Sequence, residues 1–158
     1  MIEANEPNVR ADGYLIARTK ASCPHCRGAT CLVALVVPPG HQALSTDDGA
    51  WEDAPRHAFL FYVELLAEAV QRRLQTLAPA YRRARDSATQ GWYWANHCEQ
   101  CDGPQGDHDL FCEPGGAFLP VSAQAAAAIE LMSIGEPLRA GAAGYALDPE
   151  FLEFAVHL

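Results

Sequence analysis

Two Cys-x-x-Cys pairs are the residues of this sequence whose types and spacing could do chemistry. They stand in CPHC, at Cys23 and Cys26, and in CEQC, at Cys98 and Cys101. A two-residue spacer lets the chain turn sharply, so both thiolates of a pair can face one point about 2.3 Å from a zinc ion. Two pairs supply the four soft ligands of a tetrahedral ion. The spacing therefore predicts one Zn²⁺ held by all four cysteines in a structural site.

A redox role for the first pair is the main chemical alternative. CPHC is also the active-site tetrapeptide of thiol oxidoreductases with a thioredoxin fold, in which the first cysteine lies at a helix N-terminus that lowers its pKa. Here Arg27, Gly28 and a β-branched run follow the motif instead of a helix. A thiol-disulfide oxidoreductase that uses CPHC stays an alternative, as does a set of ordinary buried cysteines.

The remaining cysteines and the histidines beside the pairs give further candidate ligands. Cys31 lies in the apolar run ATCLVALVV and is interpreted as a small buried hydrophobe, whereas Cys112 has no partner at metal-like spacing. His25 and His97 adjoin cysteines of the pairs, and His108 follows the second pair closely, so each could replace a thiolate. The four-cysteine set is preferred because side chains within or beside a metal-binding Cys-x-x-Cys turn usually point away from the ion.

The composition is that of a globular protein. The chain has 158 residues, 49% of them hydrophobic and 20% charged, which predicts a single zinc-binding domain over residues 1–158. No segment approaches the roughly 20 apolar residues of a membrane span, and the N-terminus opens with acid rather than an apolar signal core. We therefore expect a cytoplasmic protein without a membrane partner, in which paired cysteines favour metal over disulfides.

The charge favours a protein partner over nucleic acid. The formal net charge is −9, which opposes general affinity for phosphate backbones. Carboxylates near the second pair and in a long loop are predicted to steer a basic protein surface; they are Glu99, Asp102, Asp107, Asp109, Asp47 and Asp48. A local cluster of cations keeps a nucleic-acid-binding zinc ribbon as an alternative; it consists of Arg72, Arg73, Arg82, Arg83 and Arg85.

No catalytic constellation accompanies the cysteines. Four thiolates close the shell of a zinc ion, whereas a catalytic zinc keeps one position open for water or substrate. The sequence has no HExxH, P-loop or GxSxG motif. The prediction is a non-enzymatic binding module.

The elements that must position the cysteines are predicted as an α+β fold, in which zinc-ribbon-like β-hairpins are interrupted by a long helical insertion. The ribbon halves span 13–40 and 91–120, each with a strand leading into its cysteine pair. Apolar residues at steps of four or three predict the helical insertion over 57–86; they are Phe59, Val63, Leu66, Val70, Leu74 and Leu77. Ser122 and Asp148 are cap signals for C-terminal helices within 122–158. Trp92 and Trp94 are predicted to lie in the core.

The motifs also support a resemblance. The run NHCEQCDGPQGDHDLFCEPGGAFLP, with CPHC and the later VVPPGH, resembles uncharacterised bacterial proteins that carry paired Cys-x-x-Cys zinc-ribbon motifs. The resemblance spans most of the chain and implies the same four cysteine ligands. It implies no activity or substrate.

Overall fold

Strands make up most of the molecule. The computed structural model describes residues 6–85, 90–147 and 149–157. Within them the strands are β1 Val9–Ala11, β2 Tyr14–Ser22, β3 Ala29–Val37, β4 Gln42–Leu44, β5 Trp51–Asp53, β6 Ala58–Leu66, β7 Tyr81–Arg85, β8 Trp92–His97, β9 Pro104–Gln105, β10 Glu130–Ile134, β11 Leu138–Leu147 and β12 Val156–His157. The helices are α1 Glu68–Leu77, a π-helical turn His108–Cys112, α2 Ala123–Ala127 and a 3-10 helix Glu150–Glu153. The predicted α+β fold class is therefore wrong, and the protein is mostly β.

All twelve strands belong to one branched sheet. Its main path runs in the order β12, β10, β2, β3, β6, β11, β1, β4, β5, and β8 joins at β6 and carries β7 and β9. Neighbouring strands are antiparallel except β10 and β12. The branch brings β8, which leads to the second cysteine pair, to the same part of the sheet as β3, which follows the first.

The first predicted ribbon half forms a hairpin as expected. β2 and β3 pair in antiparallel register from Leu15 opposite Val36 to Ser22 opposite Ala29. Tyr14 and Ile16 face one side, and their neighbours on β2 face the other. Both faces of these strands are buried, which explains why β3 is apolar almost throughout.

Two apolar layers cover the central strands. One layer packs α1, through Val70 and Leu74, and the buried rings of Tyr81 and Trp94 against one face of the sheet. The other layer is aromatic and lies on the opposite face; it includes Phe59, Phe111, Phe118 and Phe151. The core thus lies on both sides of the sheet, and neither apolar layer contains any of the four paired cysteines.

The predicted helical insertion over 57–86 is mostly strand. Helix α1 occupies only Glu68–Leu77, and β6 and β7 fill much of the remainder, with 86–89 outside the described residues. Of the residues that predicted the helix, Val63 and Leu66 lie on the same face of β6, three residues apart and together with Leu60, whereas Phe59 lies on the opposite face. Tyr62 has a positive φ of 48°, and the register with β11 shifts by one residue at Glu64. Each irregularity interrupts the alternation of side chains along the strand, so residues three apart can lie on one face, as they do in a helix.

The C-terminal helices predicted over 122–158 are largely strands too. Ser122 does cap a helix, accepting a hydrogen bond from the Ala125 amide at 3.1 Å, but α2 is only five residues long. Strands β10 and β11 follow. The small residues of β11 give no clear strand pattern in the sequence. A Cβ at Gly144 would lie 2.3 Å from the ring of Phe61, the residue opposite it on β6. The predicted helix start at Asp148 lies outside the described residues. None of the described helices has the length and apolar character needed to cross a membrane.

Candidate metal centre

The CPHC pair forms the tip of the β2–β3 hairpin. The Cys23 amide donates to the Gly28 carbonyl at 2.8 Å, and the Arg27 amide donates to the Cys23 carbonyl at 2.8 Å. Arg27 has a positive φ of 62°, which turns the chain back toward β3. No helix follows Cys26.

The CEQC pair repeats the same turn at the tip of the β8–β9 hairpin. The Cys98 amide donates to the Gly103 carbonyl at 2.9 Å, and the Asp102 amide donates to the Cys98 carbonyl at 2.9 Å. Asp102 has a φ of 65°. Both tips therefore follow one pattern, Cys-x-x-Cys-x-Gly, with the residue before the glycine in the left-handed region.

The four sulfur atoms converge between the two tips. The Sγ atoms of Cys23 and Cys101 are 3.7 Å apart, and those of Cys26 and Cys98 are 3.6 Å apart. All four sulfurs lie within 4.8 Å of one another, and no cysteine is in a disulfide. A tetrahedral ion with metal–sulfur bonds of 2.3 Å needs sulfur–sulfur edges of about 3.8 Å. The cluster can therefore hold one metal ion.

Backbone amides point at the sulfurs from both turns. At 3.4 Å, His25 donates to Cys23, Gly28 to Cys26 and Gln100 to Cys98. Such hydrogen bonds favour the thiolate, which is the form that binds metal.

The thiol pKa values follow from these amides and from the crowding of the sulfurs. The Cys26 amide is the main group that lowers the pKa of Cys23, to about 6, and the Cys101 amide lowers the pKa of Cys98. The Gly103 amide lowers the pKa of Cys101, but desolvation and the three neighbouring sulfurs outweigh it and raise that pKa to about 12. A divalent cation would remove this conflict, because it stabilises all four thiolates together.

The glycine of each tip packs against the third residue of the opposite Cys-x-x-Cys turn. A Cβ at Gly103 would lie 3.2 Å from the ring of His25, and one at Gly28 would lie 2.8 Å from the side chain of Gln100. Both contacts arise because the two turns face each other with equivalent residues in equivalent places. The glycines allow the tips to approach closely enough for their sulfurs to share a centre.

Side chains on β8 and its tip tie the second hairpin to β3. The buried Asn96 brackets Val33: its Oδ1 accepts from the Val33 amide at 2.9 Å and its Nδ2 donates to the Val33 carbonyl at 3.0 Å. Glu99 adds two bonds, accepting from the Cys31 amide at 2.7 Å and donating its own amide to Thr30 Oγ1 at 3.0 Å. These bonds fix the two cysteine pairs relative to each other.

Sequence reasoning missed Asn96 and Gln105 as residues that support the site. Gln105 is 5% exposed, and its Nε2 lies 3.5 Å from the Cys23 sulfur and donates to the Gly103 carbonyl at 3.2 Å. Its position two residues after Gly103 was the available signal, but an isolated glutamine carries no spacing rule.

The three histidines considered as ligands lie outside the sulfur cluster. His97 is buried, and its Nδ1 contacts the backbone carbonyls of Ala95 and Ala80 at 3.0 and 3.1 Å. His25 packs on Gly103, and His108 pairs with Glu113 at 2.8 Å. The metal-binding group found among the described residues contains four cysteines only.

The two other cysteines belong to no candidate metal-binding group found in the described part of the chain. Cys31 is half-buried rather than fully buried, and desolvation followed by the Glu99 carboxylate raises the pKa of its thiol. Cys112 is exposed at the end of the π-helical turn.

The five arginines of the predicted cation cluster do not form one surface of unpaired cations. Arg72 pairs with Glu68 at 3.4 Å, and Arg73 pairs with Glu136 at 3.4 Å. Arg82 pairs with Asp102, so only Arg83 and Arg85 have no carboxylate partner among the described residues. These two lie on strand β7, opposite Trp94 and Trp92 respectively.

The acidic candidates divide in the same way. Asp107 is only 1% exposed, so the prediction that it steers a partner is wrong. Glu99 and Asp102 are exposed but bond within the molecule. Asp109, Asp47 and Asp48 are exposed and without an ion pair in the described chain.

The two tryptophans of β8 also differ. Trp94 is 8% exposed and belongs to the core as predicted, whereas Trp92 is 48% exposed, so its predicted burial is wrong. The Arg83 guanidinium lies over both rings, 5.8 Å from the centroid of Trp92 and 5.4 Å from that of Trp94.

Comparison with protein-family models, curated proteins and solved structures gave no match to this chain. The resemblance to paired Cys-x-x-Cys proteins therefore stays a prediction.

Proposed function

We propose that Cys23, Cys26, Cys98 and Cys101 bind one Zn²⁺ in a closed structural site, and that the protein is a non-catalytic binding module. The observation that carries the proposal is the sulfur spacing, with facing pairs at 3.6 and 3.7 Å and all four atoms within 4.8 Å. Four thiolates at tetrahedral spacing are the ligand set of a structural zinc.

The ligand set supports a structural rather than catalytic metal. Four protein ligands leave no position for water or substrate, and each ligand sits in a turn fixed by backbone hydrogen bonds. The ion would join the β2–β3 and β8–β9 hairpins, which lie far apart in sequence. Its effect is to lock two tips that otherwise meet through a few side-chain contacts.

The oxidoreductase alternative receives less support. A reactive thiolate needs access to its substrate, yet Cys23 is 1% exposed despite its lowered pKa. The helix that would activate it in a thioredoxin-like site is replaced by strand β3. A low pKa is equally a property of a metal-binding thiol.

Cobalt substitution tests the closed site. The protein reconstituted with Co²⁺ should show the intense visible bands and sulfur-to-metal charge-transfer bands of a tetrahedral four-thiolate complex. Azide should leave this spectrum unchanged, because no coordination position is open. A spectrum of higher coordination number, or one that shifts with azide, would contradict a closed site.

The partner is proposed to be a protein with a basic surface. The net charge of −9 supports this class, as do the carboxylates of Asp47 and Asp109, which have no ion pair among the described residues. The half-exposed Trp92 offers an aromatic anchor. Three of the five arginines on which a nucleic-acid role depended are neutralised by carboxylates.

Charge reversal tests the partner class. Proteins captured from nuclease-treated lysate by the wild type should be lost with Asp47→Lys plus Asp109→Lys. They should be retained with Glu6→Lys plus Glu153→Lys, which changes the net charge equally at other exposed acids. Capture that disappears with nuclease, or equal capture by both variants, would argue against the proposal. Salt-sensitive binding of the pure protein to DNA or RNA would favour the arginine surface instead.

A further inference from the structure

A polar cavity lies beside β1, on strands that follow β6 in the sheet order, whereas Cys23 and Cys26 lie at the tip of β2 and β3. It has a volume of about 450 Å³ and is lined by Arg10, Asp12, Gln42, Asp53 and Arg139 together with neighbouring backbone. β1 runs between β11 and β4, and β5 pairs with β4, so these four strands bring the side chains together. None of these residues takes part in the candidate metal centre.

Arg10 is held in place by contacts that leave most of its donors unused. Its Nε donates to Gln42 Oε1 at 2.7 Å, and Gln42 Nε2 donates to Asp53 Oδ1 at 2.9 Å. Its guanidinium carbon lies 4.0 Å from the centroid of the Trp51 ring. A guanidinium has five N–H donors, and for Arg10 only the Nε donor has an acceptor among the described residues.

Arg139 places a second cation directly across the strand pair. It is the register partner of Arg10 in the β1–β11 ladder and is exposed. It has no ion pair or side-chain hydrogen bond within the described chain. Like charges directly opposite one another destabilise a sheet, and neither arginine of this pair has an ion pair among the described residues.

We propose that this cavity is a binding site for a small molecule bearing a carboxylate or phosphate group, recognised by Arg10 and Arg139. An anionic oxygen group between the two guanidinium groups would accept their unused N–H donors and cancel their repulsion. The Asp53–Gln42–Arg10 chain and the Trp51 ring hold one guanidinium ready before the ligand arrives. Asp12 and Asp53 balance the charge of the lining, so they disfavour highly charged polyanions and favour a ligand with a single anionic group.

Titration with inorganic phosphate and with acetate, at ionic strength held constant with sodium chloride, tests the site. Saturable binding of either anion should change the fluorescence emission of Trp51, because the anion binds the Arg10 guanidinium that lies over this ring. Trp51→Phe should remove the signal. Arg139→Gln should weaken binding by at least about tenfold, since a charge-assisted bond is lost. The two anions separate the sources: phosphate alone indicates a phosphate-bearing ligand, and acetate indicates a carboxylate.

Arg85→Gln is the matched control. It removes the same charge from an exposed strand arginine without an ion pair in the described chain, on β7. Wild-type affinity in this variant with loss in Arg139→Gln supports the site. No saturable response to either anion, equal affinity in Arg139→Gln and wild type, or equal loss in both variants would overturn it.

Discussion

At the scale of single residues, burial changes the pKa of a polar side chain. Asp107 is the clearest case. Its Oδ2 accepts from the Tyr62 amide at 2.8 Å, while its buried Oδ1 has no hydrogen-bond partner among the described residues. Burial raises the pKa of the carboxyl from its ordinary 3.8 to about 7, although the Tyr62 amide opposes this shift. The charge of this group therefore changes near neutral pH.

The raised pKa predicts a stability that falls as pH rises. Between its unfolded value near 3.8 and its folded value near 7, the folded protein binds the extra proton, so raising pH through that window favours unfolding. From pH 6 to pH 8 Asp107 should lower the free energy of unfolding by about 1.4 kcal/mol. Urea titrations at the two pH values should show this decrease in the wild type and its absence in Asp107→Asn.

Asp109→Asn provides the comparison for that measurement. It removes an exposed carboxylate two residues away and should keep the wild-type pH dependence. Identical pH slopes in the wild type and both variants would show that Asp107 does not titrate near pH 7.

At the scale of elements, two hairpin tips with the same turn meet, and side chains replace main-chain pairing where strands diverge. Pairing between β3 and β6 covers only Leu35 to Val37. Below that point Asn96 of β8 bonds both the amide and the carbonyl of Val33. The sheet thus continues toward the metal centre through an asparagine side chain.

Removing that side chain should weaken both the fold and the metal site. Asn96→Ala leaves a buried amide and carbonyl unpaired, which should cost roughly 2 to 4 kcal/mol of unfolding free energy. It should also lower zinc affinity by about tenfold or more, because it frees strand β8, which leads directly to Cys98. Competition with a chromophoric chelator measures the affinity, and urea titration measures the stability.

Asn8→Ala separates the two effects. Asn8 brackets Ala142 in the same way, with bonds of 2.8 and 2.9 Å to its carbonyl and amide, on strands away from the cysteines. It should destabilise the protein but leave zinc affinity unchanged. Wild-type zinc affinity in Asn96→Ala would contradict the role given to Asn96.

The sequence predicted the cysteine turns and the β2–β3 hairpin because their signals are local. Spacing within each Cys-x-x-Cys pair and alternation along β2 depend on neighbouring residues only. The helix predicted over 57–86 was wrong in its first part because the step of three between Val63 and Leu66 comes from a bulge at Glu64, and because Phe59 faces the opposite side of the sheet. The helices predicted over 122–158 were wrong at strand β11 because its alanines and glycines show no clear alternation of apolar and polar residues. They take their conformation from partners such as Phe61.

At the scale of the whole molecule, the core and the metal centre are separate sources of stability. The apolar layers on the two faces of the sheet contain none of the four cysteines. A chain of 158 residues can bury enough surface to fold without a metal, unlike a small zinc finger. The ion would then act as a clamp between two hairpins.

Chelation should therefore loosen the protein without unfolding it. Losing a structural zinc worth about 4 kcal/mol should lower the melting temperature by roughly 10 °C. Most of the β-strand signal in far-ultraviolet circular dichroism should persist at 20 °C. Complete loss of that signal on chelation would show that the core depends on the ion.

The metal content of the purified protein tests the central claim most directly. Elemental analysis of the wild type, purified from cells without added metal, should give close to one zinc per chain. The double variant Cys98→Ser and Cys101→Ser should carry none, while Cys31→Ser and Cys112→Ser, which change cysteines outside the cluster, should keep it. A wild type without zinc, or full zinc retention in the Cys98→Ser and Cys101→Ser variant, would contradict the account.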